Sequence, residues 1–275
     1  MSNRLPLSNP HTPPVTRTVT LHSAHLHRDV IISLILPANY LDHTRQFRLI
    51  IFQDGQDFPA LHLSEIVAGL VSEGAIPPVI IAGIHANEKR IYEYGIAAQA
   101  DYKGRGDRAG AHTRFVTEEL LPYLEDGYPV NTSGHTIAGF SLGGLMALDI
   151  AWNHPGLFSR AGVFSGSLWW RQKAFGEEYH DSDRIMHRQI ATGSYKPGLK
   201  FWFQTGDRDE TCDRNNDGVI DSISDTLDCI AELEKKGYRW GDDVQYLEIK
   251  GGEHHPGTWR KAMPAFLKWA LTGRE

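Results

Sequence analysis

His135-Thr136-Ile137-Ala138-Gly139-Phe140-Ser141-Leu142-Gly143-Gly144-Leu145-Met146-Ala147-Leu148 is the stretch on which the reading of this chain turns. Residues 136–140 form an apolar, β-prone run, and the residues after Ser141 have the apolar density of a buried helix. Between them stands Gly139-Phe140-Ser141-Leu142-Gly143, a Gly-x-Ser-x-Gly turn in the strand-to-helix context that a nucleophile elbow requires. Such a turn lifts the serine hydroxyl above the sheet edge at a helix N-terminus, where the backbone N–H of Leu142 can face a developing oxyanion. Gly139 and Gly143 lack a Cβ, so strand and helix can pass close to the strained residue. Ser141 is the candidate nucleophile.

Working outward, the apolar runs 47–52 and 78–84 on the N-terminal side read as strands buried on both faces, with a helix over 61–72 between them. Ahead of these, 16–26 and 27–36 alternate around β-branched residues, as in an antiparallel hairpin at a sheet edge. Residues 1–14 are proline-rich and polar and read as a disordered lead-in, leaving 15–275 as one domain. Residues 95–110 suit a long loop, and 114–126 return to helical spacing. On the C-terminal side, strands are predicted at 160–164, 199–204 and 244–249, and helices at 183–192, 222–236 and 258–271. The alternation gives a doubly wound, mostly parallel α/β sheet with an antiparallel N-terminal hairpin.

A chain of 275 residues, 41% hydrophobic, can bury one substantial core, and its net charge of −6 leaves no basic face for nucleic acid or an anionic membrane. No run of 18 apolar residues and no leader-like segment stands in the sequence, so a soluble cytoplasmic protein is expected. Cys212 and Cys229 are too few for a disulfide framework.

A serine becomes a nucleophile when a base takes its proton, and the base needs a carboxylate to fix its tautomer. The strand at 199–204 opens into Thr205-Gly206-Asp207-Arg208-Asp209-Glu210, and the last strand into Gly251-Gly252-Glu253-His254-His255. Asp209 is preferred as the acid, being past the turn, with Glu210 next. His254 is preferred to His255 as the base because the glycine pair positions it. Ser165-Gly166-Ser167-Leu168-Trp169-Trp170 follows another strand at its C-terminal end, the edge where open α/β sheets bind ligands. Trp169 and Trp170 are therefore expected either to wall a substrate pocket, with Arg90 adding positive charge, or to pack this loop onto the core.

Gly139-Phe140-Ser141-Leu142-Gly143-Gly144, Asp54-Gly55-Gln56, Gly251-Gly252-Glu253-His254 and the helix around 115–124 resemble the esterase D and enterochelin esterase-like family of α/β-hydrolases. Arg90-Ile91-Tyr92-Glu93 and the 165–170 segment are most similar to its enterochelin esterase branch. The resemblance runs from about residue 15 to 271. It implies an α/β-hydrolase fold, hydrolysis of a small carboxylic ester, and an oxyanion site formed by Leu142 and Gln56. Siderophore-like or aromatic esters are the implied substrates, with feruloyl or acetyl esters and acyl transfer on the same triad as alternatives. Intact Ser141, acid and base argue against a binding protein that uses the fold without turnover.

One further motif stands apart. Asp213-Arg214-Asn215-Asn216-Asp217-Gly218-Val219-Ile220-Asp221 matches the front half of an EF-hand loop, with Asp213, Asn215, Asp217, Val219 and Asp221 as ligands. Position 12 is Ser224, so the match ends there. Two readings stand, a structural calcium site or an Asx-rich turn without metal, and no cofactor is needed for catalysis.

Overall fold

The computed structural model describes residues 12–42 and 44–272. Residues 1–11 of the expected lead-in lie outside them, and 12–14 carry no helix or strand. Among these residues eight strands form one sheet: β1 (Val15–Ser23), β2 (Arg28–Leu36), β3 (Arg48–Gln53), β4 (Val79–Ile84), β5 (His135–Phe140), β6 (Phe158–Phe164), β7 (Lys200–Arg208) and β8 (Val244–Glu253). Among the described residues nine α-helical segments accompany them: α1 (Phe58–Leu61), α2 (Leu63–Ser72), α3 (Arg90–Glu93), α4 (Ala109–Arg114), α5 (Leu121–Gly127), α6 (Leu142–Asn153), α7 (Ile185–Thr192), α8 (Asp221–Lys235) and α9 (Pro256–Thr272). The strand order is β1-β2-β4-β3-β5-β6-β7-β8, antiparallel at β1/β2 and β2/β4 and parallel from there on. This is the α/β-hydrolase fold.

The central strands are apolar throughout because each face meets its own core. In β3, Leu49 and Ile51 join the cluster under α6, while Ile50 and Phe52 join the cluster under α2 and α9. In β5, Ile137 faces the first cluster and Ala138 and Phe140 the second. Removing a ring such as Phe52, which is fully buried, costs about 3–5 kcal/mol in such cores. The outermost strand β1 is mostly exposed and its burial is correspondingly sparse.

Several boundaries differ from the sequence reading for identifiable reasons. The helix expected at 61–72 is broken at His62, whose φ of 51° is left-handed. The helix expected at 114–126 begins at Ala109 and widens into a π-turn over Phe115–Leu120, just before Pro122, which has no N–H to return. β7 runs to Arg208 and β8 to Glu253, because the two pair beyond their apolar portions, with Thr205 opposite Glu248 and Arg208 opposite Glu253. Among the described residues, no helix is long and apolar enough to cross a membrane.

Candidate active site

β5 ends at Phe140 and α6 begins at Leu142, so Ser141 alone makes the turn. Its backbone sits at φ 55°, ψ −121°, a conformation costing a non-glycine residue on the order of 1–3 kcal/mol. Ser141 N–H donates to the Phe164 carbonyl at 2.8 Å, and its own carbonyl accepts from Gly144 and Ser167 N–H, each at 3.0 Å. The flanking glycines are there because of close approach. A Cβ on Gly139 would collide with the Gly143 carbonyl, and one on Gly143 would lie 2.6 Å from Asp54 Oδ2. The hydroxyl's neighbour is Ser167 Oγ at 3.4 Å.

Ser141 opens onto a cavity of about 240 Å³ whose lining also includes Ser167, Trp169, Asp209, Glu210 and His254. The extension of β7 places Asp209 just past the strand end, where its Oδ2 accepts from Gly206 N–H at 2.9 Å and Ser222 Oγ at 3.2 Å. Its Oδ1 is buried without a partner among the described residues. Asp207 lies within β7, and its Oδ1 accepts from Gly251 N–H at 2.6 Å, which fastens β8 three residues before His254. Glu210 borders the same cavity, with its pKa raised by partial burial and by the carboxylates of Asp221, Asp225 and Asp209.

His254 follows β8 and meets the Trp259 ring edge-to-face, centroids 5.4 Å apart at 84°. Trp259 is itself anchored: it stacks on Phe140 at 4.9 Å and donates its indole N–H to Ser165 Oγ at 3.0 Å. Although the residue keeps an open edge to solvent, partial burial holds the imidazole pKa below its ordinary 6.5, opposed by the Asp209 charge and assisted by Arg90. No hydrogen bond joins His254 to Ser141 or Asp209 among the described residues. His255 has a different task. Its Nδ1 accepts from Gly257 N–H at 3.0 Å and its carbonyl from Thr258 N–H at 2.9 Å, so it caps α9.

The two tryptophans divide. Trp169 borders the cavity, with the Arg105 guanidinium 4.9 Å over its ring. Trp170 is fully buried and does not reach the cavity. It packs where a Cβ on Gly95 or Gly106 would come within 2.9 or 2.8 Å of its ring. The expected result is that Trp169→Ala lowers kcat/KM for bulky aromatic esters far more than for p-nitrophenyl acetate. Trp170→Ala should instead lower stability by about 3–5 kcal/mol without changing that ratio. Paired ester assays and denaturant melts check both.

Leu142 is the first residue of α6, so its N–H has no partner within the helix. Gln56 sits in the 3-10 turn Gly55–Asp57 after β3, and its side chain bridges Asp54 Oδ1 at 3.2 Å and Ala86 N–H at 3.0 Å. Arg90 is committed to Asp54, which its Nε and Nη2 meet at 2.7 and 2.6 Å. Sequence alone assigns no role to Asp54, Ser167, Ser222 or Trp259, although Asp54 and Ser167 stand in the quoted motifs and Trp259 closely follows the histidine pair.

The Asp213–Asp221 loop lies outside this cavity's lining. Asp213 accepts from Asp217 and Gly218 N–H at 3.2 and 2.9 Å, and Asp217 from Val219 N–H and Asn215 Nδ2 at 2.8 and 2.9 Å. Asp221 accepts from Arg214 N–H at 2.9 Å. The loop is thus laced by its own side-chain hydrogen bonds, of which Val219 N–H to Asp217 makes an Asx turn. Among the described residues, no group of three or more His, Cys, Asp or Glu is arranged to hold a metal ion.

Comparison with known proteins finds relatives of the whole domain. The profile of the family described as "Putative esterase" aligns with residues 23–270. The Bacillus subtilis protein called "Uncharacterized protein YjcH" is 26% identical over 252 residues, 90% of this chain and 94% of that protein. The enterochelin esterase of Shigella flexneri superposes with a TM-score of 0.73 at 18% identity, covering 94% of this chain and 60% of that one. This chain therefore spans less than two thirds of the Shigella enzyme. The CE1 ferulic acid esterase AmCE1/Fae1A of the anaerobic fungus Anaeromyces mucronatus gives 0.65 at 17% identity, covering 94% and 90%. At those identities the two structures establish the shared fold, whereas the family match extends over nearly all of the sequence. The chain belongs to the putative esterase family and is a carboxylic ester hydrolase.

Proposed function

We propose that ester hydrolysis runs through Ser141 as nucleophile, His254 as base and acid, and Asp209 as the carboxylate that orients His254. The observation that carries this reading is the convergence of the ends of β5, β7 and β8 on one cavity, with the strained Ser141 at its wall. Ser141 Oγ attacks the ester carbonyl while the imidazole takes its proton, and the negative charge collects on the carbonyl oxygen. That oxygen is received by the N–H groups of Leu142 and Gln56, a donor pair of which each member is worth about 10²–10³ in rate. Collapse breaks the acyl C–O bond, and the imidazolium returns the proton to the departing alkoxide. Water, deprotonated by the same imidazole, then releases the acid and restores Ser141.

Asp209 is preferred to Glu210 because its charge acts on His254 and its free Oδ1 is buried beside Gly206. Asp209→Asn should cost about 10⁴ in kcat, and Glu210→Gln little. The base must be neutral, so kcat/KM rises with pH through the His254 pKa, which lies below 6.5. Removing the Asp209 charge takes away the influence that raises this pKa, so the acid limb should move to still lower pH. A limb that moves up, or a large loss confined to Glu210→Gln, would reassign the acid.

Siderophore-like or aromatic esters are the proposed substrates, supported by Trp169 at the cavity and by fold neighbours named as enterochelin and ferulic acid esterases. Assays on p-nitrophenyl, feruloyl and catecholate-trilactone esters, with and without an added alcohol, test substrate class and separate hydrolysis from acyl transfer. For the Asp213–Asp221 loop the proposal is a structural calcium outside the chemistry. Bound calcium would raise Tm over that in chelator while leaving kcat unchanged; identical melts would dismiss it.

A further inference from the structure

Asp54 is a buried carboxylate in an awkward place. It is 1% exposed, its backbone is left-handed at φ 62°, ψ 47°, and its Oδ2 sits so close to the first turn of α6 that Gly143 has no room for a Cβ. Left alone, a negative charge at that helix N-terminus would oppose the oxyanion that the same N-terminus must stabilise. It is not left alone. Arg90 meets it with two parallel bonds, Nε to Oδ1 at 2.7 Å and Nη2 to Oδ2 at 2.6 Å, the geometry in which guanidinium and carboxylate pair most strongly. Nη2 also donates to the carbonyl of Phe140, the residue before Ser141, at 3.3 Å. Tyr94 completes the frame: its hydroxyl accepts from Asp54 N–H at 3.3 Å, and its ring lies 5.0 Å under the guanidinium. One side chain thereby ties the loop after β3, which carries Gln56, to the turn after β5, which carries Ser141.

We propose that Arg90 is a positioning residue that, through Asp54, locks the Gln56 loop against the Ser141 turn and cancels the Asp54 charge, so that the oxyanion site is formed before substrate binds. This rests on Ser141 as nucleophile and on Leu142 and Gln56 as the oxyanion donors. Lysine in place of Arg90 keeps a positive charge but cannot bridge both carboxylate oxygens and the Phe140 carbonyl.

The test measures kcat, KM and inhibition by phenylboronic acid, which forms a tetrahedral anion on an active-site serine, for wild type, Arg90→Lys, Arg90→Gln and Tyr94→Phe. Arg90→Lys and Arg90→Gln should lower kcat/KM for p-nitrophenyl acetate by about 10²–10³-fold, the size of one lost oxyanion donor. The loss should fall in kcat with KM nearly unchanged, and phenylboronic acid affinity should fall in parallel. Tyr94→Phe, which removes one hydroxyl, should show the same parallel at smaller size. A purely structural role would lower Tm while kcat and boronate affinity stayed at wild-type values in the folded fraction, and that result overturns the inference. Fluorophosphonate labelling of wild type separates the two levels. A labelled Ser141 with unperturbed Arg90 variants sinks this inference alone, whereas an unlabelled Ser141 removes the ground of both.

Discussion

Ser141→Ala is expected to lower kcat for p-nitrophenyl acetate by about 10⁵–10⁶-fold, since nucleophile and base act as a unit and neither retains much value without the other. Stability should stay within about 0.5 kcal/mol, because among the described residues the hydroxyl's one hydrogen bond is the long 3.4 Å approach of Ser167 Oγ. Ser141→Gly should lose the same activity yet melt higher, as glycine accepts a φ of 55° without strain. Turnover measured beside thermal melts for the three proteins checks all of this. An alanine variant with near-wild-type turnover ends the proposal.

His254→Ala should match the Ser141 loss, at about 10⁵–10⁶-fold in kcat, whereas His255→Ala should keep most activity. The two neighbours differ because their rings meet different partners: His254 faces Trp259 at the cavity, and His255 spends its Nδ1 on the N-terminus of α9. The expected cost of His255→Ala is accordingly a lost helix cap, about 0.5–2 kcal/mol of stability. The reversed pattern would make His255 the base. Equal partial losses would show that the loop as a whole had been disturbed.

How far the sequence could be read follows from where each signal resides. β3, β4 and β5 were legible as near-continuous apolar runs because both faces of each strand are covered. The Ser141 turn was legible because its motif is local. The ends of β7 and β8 were not, since polar Thr205 to Arg208 are held in the sheet by pairing with a strand some forty residues away. That extension decides that Asp207 fastens Gly251 while Asp209 borders the cavity. Trp169 and Trp170 are adjacent and chemically identical, and only the packing of Trp170 against Gly95 and Gly106 separates them. The pairing of Arg90 with Asp54 spans 36 positions and leaves no trace in spacing.

The central claim is that Ser141 is the nucleophile, and active-site labelling tests it most directly. A fluorophosphonate, followed by peptide mass spectrometry, should place one phosphonyl group per chain on Ser141, with the rate of labelling collapsing in His254→Ala and persisting in His255→Ala. Ser165 and Ser167 border the same cavity and serve as internal controls. An adduct on either of them, or none on Ser141 in protein that hydrolyses p-nitrophenyl acetate, would contradict the account.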